Sequence, residues 1–164
     1  MEKKYFPIFI DISEKKIVVI GGGTIATRRV NTLLAFAEQI VVVAPEISDD
    51  LRELDRQGKI TWMCGEYCIG QIWHADMVIA ATNQPAVNHQ VKADCERIEK
   101  LEGRHILINV IDDKDSCDFY FPSIVQKDDV VIGINSGGKS PGLTKSVRKQ
   151  IEQLLACESN YIEK

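Results

Sequence analysis

The segment from Lys16 to Ala37 limits the choice of fold more than any other. Lys16 to Ile20 (KIVVI) is a short β-branched run, and it ends on three glycines, Gly21, Gly22 and Gly23. Thr24 to Ala37 follows, with apolar residues at Ile25, Val30, Leu33 and Leu34 that predict a helix with one apolar face. A continuous apolar run bounded by a turn reads as a strand covered on both faces, as in a parallel sheet. Gly21-Gly22-Gly23-Thr24-Ile25-Ala26 also fits the pattern G-x-G-x-x-A. In that pattern the first glycine permits a tight turn, and the second lets the backbone approach a pyrophosphate. The small final residue lets helix and strand pack closely. Backbone N–H groups at the helix start then face the anion, helped by the helix dipole. Gly21, Gly22, Gly23, Thr24 and Ile25 are therefore the expected phosphate-side contacts of a dinucleotide.

The alternation continues downstream. Residues 40–43 read as a second buried strand broken by Ala44-Pro45, and 48–57 as a polar surface helix. Residues 59–63, 76–80 and 105–109 read as three more strands, and 85–100 as a helix with Pro85 in its first turn. The stretch 62–74, with both tryptophans, Cys64, Gly65, Cys68 and Gly70, reads as an irregular connection. The fold class is α/β: a Rossmann-type parallel sheet with crossover helices. After Asn109 the pattern changes. Residues 112–115 form an acidic loop, and 119–125 and 130–135 are strand-like. Ser136-Gly137-Gly138-Lys139-Ser140-Pro141 precedes a helix to about Ala156, striped with Leu143, Val147, Ile151, Leu154 and Leu155. Ser140 suits its cap and Pro141 its first position. This small β-β-α region cannot build a generous core alone, so it should pack on the first domain or on a second subunit. The expected domains are residues 1–113 and 114–164.

Composition narrows the partners. The 164 residues carry 24 acids against 20 bases, a net charge of -4, which argues against nucleic acid as the main partner. No apolar run is long enough for a bilayer, and Tyr5 to Ile10 is too short for a signal sequence, so a cytoplasmic protein is expected. The five cysteines lack the spacing of a zinc site and read as reduced thiols. His74, His89 and His105 are scattered, and no resident metal is expected.

Two further clusters belong with the glycine turn. The second strand usually ends in an acid that holds the ribose. Here it ends Val43-Ala44-Pro45, so either Glu46 does this from further out or backbone groups near Pro45 do. No arginine stands there, which favours NAD over NADP. Small residues at Ala80-Ala81 leave room for a cofactor, and Thr82 and Asn83 can bond to it, cap the next helix, or both. The acids of 112–115 are open to a different choice: nothing in the residues themselves selects Asp112 over Asp113 or Asp115.

In their order, Gly21 to Ala26, Val43-Ala44-Pro45, Ala80 to Asn83, Asn109-Val110-Ile111-Asp112, Phe121-Pro122-Ser123 and Ser136 to Pro141 resemble the precorrin-2 dehydrogenase family. That family includes the dehydrogenase/ferrochelatase module of siroheme synthase. The early Phe6-Pro7-Ile8-Phe9 fits as well, and the likeness covers nearly the whole chain. The resemblance implies NAD-dependent oxidation of precorrin-2 to sirohydrochlorin, on the route to siroheme or cobalamin. It implies an intertwined homodimer held by the second region, and a catalytic aspartate in Asn-Val-x-Asp, which falls on Asp112. Some members also insert iron, with the same aspartate implicated. Members usually continue into a further helical region that helps enclose the tetrapyrrole. The chain is expected to lack it, which bears against chelation.

The chemistry suits the residues. Dehydrogenation removes a hydride and a proton, and a carboxylate past the fifth strand can accept the proton. A precorrin carries many carboxylates, for which Asn109, Ser136, Gly137, Gly138, Lys139 and Ser140 offer polar groups and one cation. Arg28 and Arg29 either add positive charge or are solvated surface residues. The competing expectations are a regulatory NAD-sensing module without chemistry, and a chelatase that has lost dehydrogenation.

Overall fold

A computed structural model of the chain describes residues 5–158, the side chains at 157 and 158 excepted. The outer ends of the two expected domains, and the Cys157 thiol, lie outside the described residues. The chain forms two compact units that divide between Phe119 and Tyr120.

The first unit is the expected parallel sheet. Strands β1 (Lys16–Ile20), β2 (Gln39–Ala44), β3 (Thr61–Cys64), β4 (Met77–Ala80) and β5 (Leu107–Val110) lie in the order β3-β2-β1-β4-β5. All four pairings are parallel, with Val19 of β1 opposite Val42 on one side and Ile79 on the other. Central parallel strands are covered on both faces, and β4 is buried at every residue. Helices α1 (Thr24–Leu33), α2 (Asp49–Arg56) and α3 (Pro85–Glu102) connect them. One core joins Val18 and Ile20 of β1, Val78 of β4, Ile108 of β5 and Val91, Cys95 and Ile98 of α3. Burial there pushes the Cys95 thiol up to about 12, so it stays protonated at neutral pH.

Several element ends differ from expectation, each for a local reason. Strand β5 starts two residues later because His105 is engaged elsewhere, 3.0 Å from Glu99 and 3.1 Å from Asp118. Helix α1 stops at Leu33, where Phe36 and Ala37 both donate to the Leu33 carbonyl and tighten the chain into turns. Trp62 and Met63 belong to β3, and the Trp62 indole N–H donates to Ala44 O at 2.9 Å. The irregular stretch that follows is well anchored. Ile69–Gln71 forms a 3-10 turn, Ile72 and Ala75 are buried, and the Arg104 guanidinium donates to the Trp73 and Ala75 carbonyls.

In the second unit, β6 (Ser123–Lys127) and β7 (Val130–Ile134) pair antiparallel, and α4 (Pro141–Glu158) packs on them. Pro122 has no N–H to give a ladder, so β6 begins at Ser123 rather than at Phe119. Helix α4 begins at the expected Pro141. No described helix is long and apolar enough to cross a membrane.

Candidate functional site

The glycine turn leaves β1 at the carboxyl edge of the sheet, where open α/β sheets bind ligands. Gly21 N donates to Val43 O at 2.8 Å, and Ala81 N donates to Ile20 O at 2.8 Å, so β2 and β4 flank the turn. Gly21 has φ +121°, and a Cβ there would lie 2.4 Å from Ala81 O. A Cβ on Gly22 would lie 2.2 Å from Glu46 O and 2.9 Å from Ile47 Cα. Both glycines are therefore required by backbone crowding, a stronger constraint than the sequence pattern places on the middle residue. Gly23 is different: nothing lies within 4 Å of its would-be Cβ. The space over Gly23 is open, as close approach of a pyrophosphate to the backbone requires.

Helix α1 starts directly behind it. Its N-cap, Gly23, supplies no side-chain cap. The backbone N–H groups of Gly22, Gly23, Thr24 and Ile25 have no protein partner among the described residues. Four open donors at a helix N-terminus, next to a gap in the side-chain cover, fit an anionic pyrophosphate. Ser48 fixes the opposite wall. Its N–H donates to Gly22 O at 2.9 Å, and its hydroxyl lies 2.8 Å from that of Thr27. Ser48 also caps α2 by accepting from Leu51 N. An open cleft of about 490 Å³ runs from Thr24 past Thr27 and Arg28 to Ser48 and Asp50. Of the two candidate arginines, Arg28 is exposed, whereas burial and then repulsion from Arg28 push the Arg29 guanidinium down to about 10. Arg29 is still a cation at neutral pH.

Pro45 and Glu46 are exposed on the loop after β2, beside this wall. The first cation beyond β2 is Arg52, whose guanidinium lies over the Trp62 ring at 5.3 Å. Thr82 and Asn83 follow β4. Asn83 is exposed, and Thr82 is half-buried. Thr82 is held by Asn88, a fully buried amide in the first turns of α3. Asn88 Oδ1 accepts from Thr82 N (3.1 Å) and Thr82 Oγ1 (2.8 Å), and Asn88 Nδ2 donates to Thr82 O (3.1 Å). Asn88 Nδ2 also donates to Asp112 Oδ1 at 3.1 Å.

The acids after β5 now separate by role. Asp113 caps the turn Lys114–Ser116, accepting from the N–H groups of Asp115 and Ser116 and from the Ser116 hydroxyl. The Ser116 hydroxyl bond is the main reason its carboxyl sits below the usual range. Asp112 is exposed, and its one bond among the described residues is to Asn88. Asn109 is buried, and its Nδ2 donates to Phe119 O (2.9 Å) and Cys117 Sγ (3.4 Å).

The remaining candidates lie in the second unit, where the turn is largely self-contained. Gly137 N donates to Asn135 Oδ1, Lys139 N to Ser136 O and Ser140 N to Ser136 Oγ. The Ser136 hydroxyl also accepts from Thr144 Oγ1. The backbone donors of Gly137, Lys139 and Ser140, expected to serve a ligand, are thus already used within the turn. Ser48 and Asn88 are the two residues the sequence reading overlooked. Asn88 did carry a signal: it occupies the buried stripe of α3 with Val91, Cys95 and Ile98, where a polar residue must have a partner.

A crowded glycine turn, an uncapped helix start and the strand order β3-β2-β1-β4-β5 define a dinucleotide-binding α/β protein. Residues 8–123 match a family described as NAD(P)-binding, and the chain belongs to that family. Across 92% of its length it is 37% identical to siroheme synthase 1 of Yersinia enterocolitica. It is 36% identical to siroheme synthase 1 of Serratia proteamaculans and to siroheme synthase of Mannheimia succiniciproducens. The chain spans only 30–31% of the length of these relatives. Among solved structures it is similar to SirC, a precorrin-2 dehydrogenase, at 26% identity and a TM-score of 0.75. That match covers 97% of this chain and 72% of the other. The likeness expected from the motif order is borne out, and so is a nicotinamide dinucleotide as the cofactor class.

Proposed function

We propose that the chain oxidises precorrin-2 to sirohydrochlorin with NAD, Asp112 acting as the base. The observation that carries this reading is an unbroken line of contacts along one sheet edge. Gly21 abuts Ala81 and Thr82, Thr82 is gripped by Asn88, and Asn88 holds Asp112. Phosphate-binding turn and candidate base are thereby fixed to one framework. The similarity to SirC and to the siroheme synthases supplies the substrate class.

The reaction removes two hydrogens from the macrocycle. The nicotinamide, when bound, supplies the hydride acceptor. An exposed carboxylate at Asp112 takes the proton and returns it to water. The chain's own contribution on the cofactor side is to bind and orient. The open N–H groups at 22–25 hold the pyrophosphate, Thr82 and Asn83 border the cofactor, and Pro45 and Glu46 meet the ribose. Glu46, Asp49 and Asp50 come before any cation after β2, and Arg52 is stacked on Trp62. That acidic stretch repels an extra phosphate and supports NAD over NADP. Asn109, Ser136, Gly137, Gly138, Lys139 and Ser140 are proposed to meet the substrate carboxylates. With the backbone donors largely engaged, the serine hydroxyls and the Lys139 cation carry most of that role. The proposed state is a homodimer formed through residues 114–164, supported by exposed Val130, Leu143 and Leu154.

Full-length protein given precorrin-2 and NAD should produce sirohydrochlorin with rising NADH absorbance. Asp112→Ala should slow turnover by about 100-fold or more while NAD affinity stays within about two-fold. NAD binding without turnover of authenticated substrate would overturn the reading and leave the NAD-sensing module in its place. Ferrous and cobaltous ions offered with sirohydrochlorin would read out chelation separately.

A further inference from the structure

We propose that Asn88 is the positioning residue for Asp112: its buried amide fixes the carboxylate in place relative to the cofactor turn. The inference rests on the dehydrogenase reading of Asp112 given above.

Asn88 is fully buried on the packed face of α3. A side-chain amide offers two N–H groups and two lone pairs, and all four are used here. Three go to Thr82: its N–H, its hydroxyl and its carbonyl. The orientation of the amide is therefore forced. The Thr82 N–H must meet an acceptor, so Oδ1 lies on that side and Nδ2 faces the Thr82 carbonyl. The second N–H of Nδ2 is then directed at Asp112 Oδ1, on a different element 24 residues along the chain. Fixing Thr82 needs only three of the four bonds. The fourth has no local purpose other than to hold the carboxylate.

Asp112 and Asp113 make the contrast plain. Asp113 is spent on its own turn, bonded to Asp115 and Ser116. Asp112 has no bond within its own loop, and Asn88 is its one anchor among the described residues. Oδ2 is left for a proton from the substrate. Because the same amide grips Thr82, whose backbone lies against Gly21, carboxylate and phosphate turn are held in a single register.

Asn88→Asp tests this. It keeps an acceptor for Thr82 N and Oγ1, loses both N–H donors, and sets an acid against Asp112. We expect kcat to fall about ten-fold or more, and the acid limb of the pH profile to move to higher pH. The neighbouring ionisable groups are His89 on α3 and Asp113, 4.0 Å apart. A parallel His89→Gln variant identifies any contribution from the histidine. In an Asp112→Ala background, Asn88→Asp should cause no further loss of turnover. An equal loss in both backgrounds, or an unmoved pH profile, overturns the proposal.

A second measurement needs no Asn88 variant. In wild-type protein the Asn88 side-chain NH2 resonances should shift as Asp112 titrates, and in Asp112→Ala they should not. Resonances that ignore pH overturn the contact. Full turnover by Asp112→Ala removes the base and its positioning together. A slow Asp112→Ala beside an unaffected Asn88→Asp removes only the inference about Asn88.

Discussion

The chain carries two glycine turns, each leading into a helix, and the two are built on different principles. Around Gly21 to Gly23 the protein crowds the first two glycines and leaves the third bare. The N–H groups of residues 22–25 are left open. Around Gly137 nothing crowds the would-be Cβ, and the N–H groups of Gly137, Lys139 and Ser140 are bonded inside the turn. Glycine in the first turn answers a lack of space, and in the second the handedness of the backbone. Among the described residues the first leaves a run of backbone N–H groups for a ligand, whereas the second turns its backbone N–H groups at 137, 139 and 140 inward. Two glycine-rich stretches of similar composition thus differ in chemical availability, and the partners of their N–H groups show it.

The largest expected effect follows from crowding. A methyl group at Gly22 would meet the Glu46 carbonyl and the Ile47 Cα, both backbone, and neither can rotate away. Gly22→Ala should cost about 3 kcal/mol or more and abolish NAD binding. Urea denaturation read by circular dichroism checks the first part and NAD titration the second. Wild-type stability would mean that the loop after β2 does not cross the turn.

The same residue shows where sequence reasoning stops. Strand–helix alternation, the sheet and its glycine turn were legible because buried β-branched runs such as KIVVI leave few alternatives. Gly22 is merely the free position of its motif, and its real constraint comes from residues more than twenty positions away that fold across it. The starts of β5 and β6 lie two and four residues beyond where the sequence pattern puts them. A bridging His105 sets one, and a proline without an N–H sets the other. Among the site residues, the acids of 112–115 could be told apart only through the family resemblance. Their separation depends on which one caps its own turn and which one reaches Asn88. The open and closed donor sets of the two glycine turns are likewise invisible in sequence, since both read as anion-binding loops.

A smaller effect sharpens the comparison. Gly23 has ordinary backbone angles, φ -87°, and nothing near its would-be Cβ. Gly23→Ala should therefore fold with a loss of less than about 1 kcal/mol. Its methyl group would nonetheless fill the space that the pyrophosphate needs. NAD affinity should fall about ten-fold or more, roughly 1.4 kcal/mol or more of binding free energy. Stability and affinity then come apart at neighbouring glycines: Gly22 governs both, Gly23 only binding. Unchanged NAD affinity in Gly23→Ala would place the pyrophosphate elsewhere.

The smallest effect belongs to the second turn. Gly137 has φ +63°, a left-handed conformation that costs an L-residue about 1 kcal/mol. With open space around it, Gly137→Ala should lose only that conformational term, measured by urea denaturation. NAD affinity should stay within about two-fold, since this turn is not among the residues proposed to hold the dinucleotide. Asparagine tolerates the left-handed region better than alanine, so Gly137→Asn should recover part of the loss. That order, glycine above asparagine above alanine, is the signature of handedness. Crowding at Gly22 predicts the reverse for the last two, because asparagine is larger than alanine and should be worse there. Measuring both series in one protein separates the two reasons for glycine. If Gly137→Ala were neutral, handedness would not constrain the second turn; if Gly137→Asn were worse than Gly137→Ala, the second turn would share the crowding of the first, and either result would end the contrast.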